Sequence, residues 1–288
     1  MANDLIFDSH QHFWQVGRFD YPWMTPEVDM LCHDYLPPGL EPMLQRNGVG
    51  QTILVQASNS VAETRWLLQL ADEHPFIAGV VGWVDLQSES VGQELDEFAA
   101  HPKFKGARHL VESEPADDWL NQASVLKGLG ELASRGLSYD LLVHTRHLKH
   151  ARSAVDECPD LRFVIDHMAK PPIAKNEIDE WTRQMKPFAA AANVWCKLSG
   201  LVTEANWINW RIEDFIPYVD KALEYFGPQR LMFGSDWPVC LLAATYEQVL
   251  EMFQTLLADL SDEDHKLIFS KNASQFYRIE DEIWSAAA

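Results

Sequence analysis

Cysteine is scarce in this chain. Cys32, Cys158, Cys196 and Cys240 are scattered, with no CxxC pair among them. Such spacing suits free thiols in a reducing compartment rather than a disulfide framework, so a cytoplasmic location is expected. No apolar stretch approaches the ~20 residues of a membrane span. The opening "MANDLIFDSH" lacks a basic region followed by a long apolar segment, and no secretory signal is expected. Positive charge is also short. The 23 Lys and Arg stand against 43 Asp and Glu, a net charge of −20 that argues against nucleic acid and anionic membranes as partners. Low-complexity runs, long linkers and recurring repeats are missing. No Gly-rich phosphate loop follows the first apolar run, and no GxSxG elbow surrounds Ser199.

What is present is an alternation. Short apolar or β-branched runs occur at 4–9, 52–56, 77–84, 105–110, 138–144, 161–167, 193–199 and 230–235. Between them lie amphipathic stretches with apolar residues three and four apart, clearest at 62–73, 90–100, 124–135, 147–157, 178–192 and 211–226. Ser60 with Glu63 three residues on reads as a capping box, and Gly136 and Gly227 follow helix ends. Strand and helix alternating eight times predicts an α/β fold, a (β/α)₈ TIM-like barrel filling one domain over 1–288. An open doubly wound sheet is the second choice. In a barrel, catalytic side chains sit at the C-terminal ends of the strands.

Those ends carry ionisable residues. The first apolar run leads into His10 and His12, which share a face because strand side chains alternate. Two neutral imidazoles on one face are a natural half of a metal site. Later ends carry Gln56, Arg108 and His109, His144, Asp166 with His167 and Lys170, Lys197 with Ser199, and Ser235 with Asp236 and Trp237. One polar pocket explains all of them together. Several of the 11 tryptophans, including Trp14, Trp23, Trp207, Trp210 and Trp237, fall just beyond strand-like runs, where aromatic rings line concave sites.

"DSHQHFW", "GARHL", "IDHMAKP", "KLSGLVTEANW" and "FGSDWPV" fall in order along the chain. Together they resemble the amidohydrolase superfamily, and more narrowly its branch of L-fuconolactonase- and L-rhamnonolactonase-like sugar lactonases. The resemblance implies a distorted (β/α)₈ barrel that hydrolyses small lactones or amides. It places metal ligands at His10, His12, His144 and Asp236, and sets His167 against the attacking water or the oxyanion. No counterpart of a carboxylated lysine or bridging Glu is evident, so at most one divalent ion, zinc by its ligands, is expected. Several members of this branch are thought to work without metal, and that form stays open.

Lactone opening needs an activated water, a stabilised oxyanion and a proton for the departing oxygen. Asp236 is the expected base, and Arg108, His109 and His167 are the expected donors to the oxyanion. Gln11, Trp14, Trp23, Trp207 and Trp237 are candidate walls for a polyhydroxylated ring, with Lys170 and Lys197 as binding residues. Arg108 could instead be a structural ion-pair partner, and Lys170, before two prolines, could mark only a turn. His33, His74, His101, His150 and His265 read as surface or capping residues. The expected partner is a small sugar lactone; a homo-oligomer is compatible with the sequence but not specified by it. One alternative is a metal-dependent decarboxylase or aromatic-lactone hydrolase, which asks for more arginines than Arg108, with Arg146 and Arg211 further off. Another is a non-catalytic sugar-binding barrel.

Overall fold

The computed structural model describes residues 5–279, so Asp4 of the first predicted strand and both ends of the predicted 1–288 domain lie outside the described residues. In chain order the regular elements are β1 (Ile6–Gln11), α1 (Pro37–Arg46), β2 (Val49–Val55), α2 (Val61–Glu73), β3 (Ile77–Gly82), α3 (Val91–Ala99), β4 (Phe104–His109), α4 (Ala123–Ser134), β5 (Ser138–Leu141), α5 (Leu148–Glu157), β6 (Arg162–Ile165), α6 (Asp179–Met185), β7 (Val194–Leu198), α7 (Leu201–Glu204), α8 (Ile216–Phe226), β8 (Leu231–Phe233), α9 (Tyr246–Leu256), α10 (Asp262–Lys266) and α11 (Asn272–Tyr277). The strands pair in parallel, each with the next, in the order β1 to β8. This is the predicted α/β barrel. No helix among the described residues is long and apolar enough to cross a membrane.

Local chemistry explains much of the register. Ser60 caps α2 by accepting from the Glu63 N–H at 3.2 Å. The Glu63 carboxylate does not complete the box; it accepts from Ala57 and Ser58 N–H instead, tying the β2–α2 loop. Gly136 and Gly227 take the positive φ that closes α4 and α8. The expected helix at 178–192 ends early, at Met185, and continues as a 3₁₀ turn through Pro187, which removes a backbone donor.

The barrel interior is layered. At the floor, Phe276, Tyr277 and Ile279 pack against Phe7, Ile53, Val55, Val81, Val164 and Met232. Above Tyr277 sits the Lys197 ammonium, 5.5 Å from the ring centroid. At the site end the strands stop short of expectation: β5 at Leu141, β6 at Ile165 and β8 at Phe233. The chain there leaves the ladder in order to aim individual side chains.

Closure between β1 and β8 rests on few bonds. Asp236 N–H donates to the His10 carbonyl at 2.8 Å, and His12 N–H to the Trp237 carbonyl at 2.7 Å. Ser9 Oγ donates to the Phe233 carbonyl at 2.6 Å. The buried Asp8 carboxylate accepts from Ser235 N–H at 2.8 Å, His10 N–H at 3.1 Å and the Tyr246 hydroxyl at 3.1 Å. Burial pushes the Asp8 carboxyl up to about 6, against the lowering effect of those bonds. At Gly234 the backbone passes so close to His10 that a Cβ would stand 2.7 Å from the His10 Cβ.

Asp8 therefore staples the seam. Asp8→Ala, which strands two backbone donors and a phenol, should cost about 3 kcal/mol or more in urea unfolding, whereas Tyr246→Phe should cost about 1 kcal/mol. Equal and small losses in the two variants would show that Asp8 does not hold the seam.

Candidate active site

A cavity with about 740 Å³ of empty space opens at the C-terminal ends of the strands. Its polar lining includes His12, Arg108, Glu112, His167, Lys170 and Asp236. Asp236, at φ 59° just past β8, presents Oδ1 at 3.4 Å from His12 Nε2 and at 3.8 Å from both His10 Nε2 and His167 Nε2. Burial alone would raise its pKa, but the neighbouring His167, His12 and Lys170 outweigh it and hold the carboxyl below its usual 3.8.

His12 lines the cavity, with the fully buried His10 beside it, because β1 is irregular. Its register against β2 slips between Asp8 and Gln11, so Phe7 faces the floor while His10 and His12 both face the site. His12 Nδ1 donates to the Val55 carbonyl at 2.8 Å, leaving the Nε2 lone pair free. The His10 ring has two settings, each of which satisfies one set of its neighbours. In one, Lys197 donates to Nδ1 at 3.1 Å and Nε2–H donates to His12 Nε2, also at 3.1 Å. In the other, Nδ1–H faces Asp166 Oδ1 at 3.4 Å without a closed hydrogen bond, and Nε2 accepts from Arg108 Nη1 at 3.2 Å.

Beneath His10 lies a buried charge network. Lys197 bonds Asp140 at 2.6 Å and Asp166 at 3.0 Å, and Arg108 bonds Asp166 at 3.1 Å. Asp166 is held well below the carboxylate range because Lys197, His10 and Arg108 together outweigh its burial. Asp140, whose other partner is the neutral Tyr277 phenol at 2.7 Å, is pushed up to about 6 by burial.

His167 begins an unusual turn. His167, Met168, Ala169 and Lys170 have φ of 51°, 52°, 59° and 49°, four non-glycine residues in the left-handed region, each costing about 1–2 kcal/mol. Lys170 N–H donates to the His167 carbonyl at 2.8 Å, and the Trp181 indole donates to Met168 O at 2.7 Å. The turn points both His167 and Lys170 into the cavity. Ser199 meets His167 Nδ1 at 2.9 Å, and Gly200 leaves the ring its space: a Cβ there would stand 2.5 Å from Nδ1.

Other expected residues lie elsewhere. His109 follows the inward Arg108 on β4 and so faces out, stacked on Trp119 at 4.0 Å, accepting from the Trp83 indole and bonded to Glu114. It touches no part of the cavity. His144 has the inward parity of Asp140 and Leu142 but stands beyond the end of β5, 42% exposed, with Nε2 3.6 Å from Glu112. Lys197 lies under His10 rather than in the lining. Gln11 turns to Thr52 Oγ1 at 3.1 Å. Trp207 is 39% exposed with its indole on the Thr203 carbonyl, and Trp237 packs behind the wall between Phe13 and Tyr35. Trp14 and Trp23 do line the cavity. Sequence reasoning missed Glu112, which pairs with Lys170 in the lining, because it sits on a loop without strand periodicity.

His10, His12 and Asp236 offer donor atoms within 4.8 Å of one another, as do His10, Asp166 and His167. Two imidazole nitrogens with a carboxylate oxygen are a donor set that zinc takes.

Burial lowers the His167 pKa from 6.5 to about 4. The unfolded chain therefore binds this proton first, and the stability linked to a neutral His167 is lost as pH falls from 6.5 toward 4. Relative to His167→Gln, the wild type should lose about 3 kcal/mol of unfolding free energy between pH 7 and pH 4. Parallel stability curves for the two proteins would contradict the buried neutral imidazole.

Known proteins share this arrangement of chain. L-fucono-1,5-lactonase of Burkholderia ambifaria is 38% identical over 285 residues, covering 95% of each chain. L-fucono-1,5-lactonase of Burkholderia multivorans is 37% identical over 287 residues, covering 96% of each. The crystal structure of an amidohydrolase from Burkholderia multivorans with bound zinc superposes with a TM-score of 0.92 at 36% identity, covering 96% of this chain and all of that one. Residues 7–279 match the family described as Amidohydrolase, and the chain belongs to that family.

Proposed function

We propose that this chain is a hydrolase that opens a small sugar lactone, of the L-fucono-1,5-lactone kind, to its aldonate. The observation that carries the reading is Asp236, an ionised carboxylate in a cavity, ringed by three imidazoles within 3.8 Å. The lactonase relatives that span nearly the whole chain support it.

Asp236 takes a proton from the water that attacks the lactone carbonyl carbon. A carboxylate is a weak base at neutral pH, but a lactone is an activated ester and asks for little. As the carbonyl oxygen gains charge, donors in a dry site stabilise it, each good one worth about 3 kcal/mol. Arg108 in the lining supplies a fixed cation, oriented by Asp166 and Gln56. His167 supplies an Nε2–H when Ser199 donates to its Nδ1. The departing ring oxygen is an ordinary alkoxide, and protonated Asp236 returns the proton to it. Lys170, paired with Glu112, binds ring hydroxyls.

A divalent ion, zinc by the donor set, would be held by His10, His12 and Asp236. When bound, it supplies a lowered pKa for water and positive charge near the carbonyl oxygen. His144 is not part of this proposed set, because its Nε2 is turned to Glu112. The lining holds one arginine, Arg108, which favours a neutral lactone over the carboxylated substrate of a decarboxylase or dicarboxylate lactone hydrolase. The scattered free thiols favour the cytoplasm.

Asp236→Asn should fold as the wild type does and lose about 10²–10⁴-fold in kcat on such a lactone. Because the wild-type carboxyl is held below its ordinary 3.8, protonation of Asp236 should lower kcat/KM only at pH below that ordinary value. Near-normal turnover by Asp236→Asn, with an unchanged circular dichroism spectrum, would remove it as the base.

A further inference from the structure

The cavity has two unlike sides. Opposite in character to the charged cluster is an apolar wall of Trp14, Trp23, Val28, Leu31, Val239 and Leu242. These residues belong to one contiguous apolar cluster. Val28 and Leu31 come from the 3₁₀ segment Pro26–Leu31 after β1, and Val239 and Leu242 from the 3₁₀ segment Val239–Leu242 after β8. Thus the same two strands that carry His10, His12 and Asp236 also carry the wall.

The wall offers a hydroxyl almost nothing. Its two indole N–H groups are already committed: Trp14 Nε1 donates to His33 O at 2.8 Å and Leu31 O at 3.1 Å, and Trp23 Nε1 donates to Ala57 O at 2.8 Å. One of those bonds also engages the carbonyl of Leu31, within the wall's own backbone. A polyhydroxylated ring laid against this surface would leave its hydroxyls unpaired, which is costly in a buried site. The group that fits is an alkyl substituent.

We infer that this wall seats the methyl group of a 6-deoxy aldonolactone and discriminates against the 6-hydroxy ring. The inference rests on the lactonase reading. The charged cluster then meets the lactone carbonyl while the methyl end rests on Val28 and Leu242, half-buried lining residues, one from each 3₁₀ segment.

The test compares kcat/KM of the full chain on L-fucono-1,5-lactone, L-galactono-1,5-lactone, which differs by one hydroxyl at C6, and D-arabinono-1,5-lactone, which lacks C6. Spontaneous opening is subtracted in each case. The expected order places the methyl compound first by about 10–100-fold over each of the other two. Val28→Thr, which keeps the shape, and Leu242→Gln, which adds a donor, should both narrow the gap between the methyl and hydroxymethyl compounds. Equal rates on the three lactones would overturn the inference and leave the lactonase reading standing. A methyl preference unmoved by both variants would also overturn it. Turnover of none of the three would remove the lactonase reading and the inference with it.

Discussion

The join between the first and last strands is the constraint on which the rest depends. Seven neighbouring pairs of strands are held by parallel ladders, the first three with register shifts. Between β1 and β8 the described residues show instead one isolated bridge, Gln11 to Trp237, with the bonds of Ser9 and Asp8 around it. That weak seam is also where the chemistry gathers, because His10, His12 and Asp236 come from its two sides. The backbone bond from Asp236 to His10 sets the distance between base and imidazoles. A loosened seam would move the carboxylate before it unfolded the barrel, and a displacement near 1 Å at a reacting group can cost about 10²-fold in rate.

The second constraint is electrostatic. Lys197 and Arg108 are buried cations, and Asp140 and Asp166 are buried anions. Such a network adds little net stability, since desolvation offsets much of the attraction, yet removing one partner strands a charge. Its evident product is orientation. His10 accepts a hydrogen bond at Nδ1 from Lys197 or turns an Nδ1–H toward Asp166, and that choice fixes whether Nε2 is donor or acceptor. The left-handed run at 167–170 is comparable, an unfavourable backbone held by Trp181 and by packing so that His167 and Lys170 face the cavity.

Much of this was legible in the sequence. Alternating apolar runs and amphipathic segments specify the barrel, and the strand-end rule finds Asp236, His167, Arg108 and the His10–His12 pair. What escaped lies where strand periodicity fails. His109 was misread because it adjoins Arg108 and alternation turns it outward onto Trp119. His144 shares the inward parity of β5 but not its height, since the strand ends at Leu141. Glu112 lines the cavity from a loop, paired with Lys170, and a loop position carries no strand-end signal. Lys197 ends an apolar run and is fully buried, and no one-dimensional pattern distinguishes a binding lysine from one paired beneath the site. Trp14 and Trp23 line the cavity while Trp207 and Trp237 do not, because loop folding decides where each ring goes.

The central claim is that this cavity opens sugar lactones. The most direct measurement is proton release from L-fucono-1,5-lactone by chelator-treated protein, with and without added zinc. The account predicts turnover far above spontaneous opening in at least one of the two conditions. Zinc-indifferent turnover would assign His10 and His12 to hydrogen bonding and proton handling, and zinc-restored turnover would make them ligands. Release no faster than the spontaneous reaction in both conditions would contradict the account.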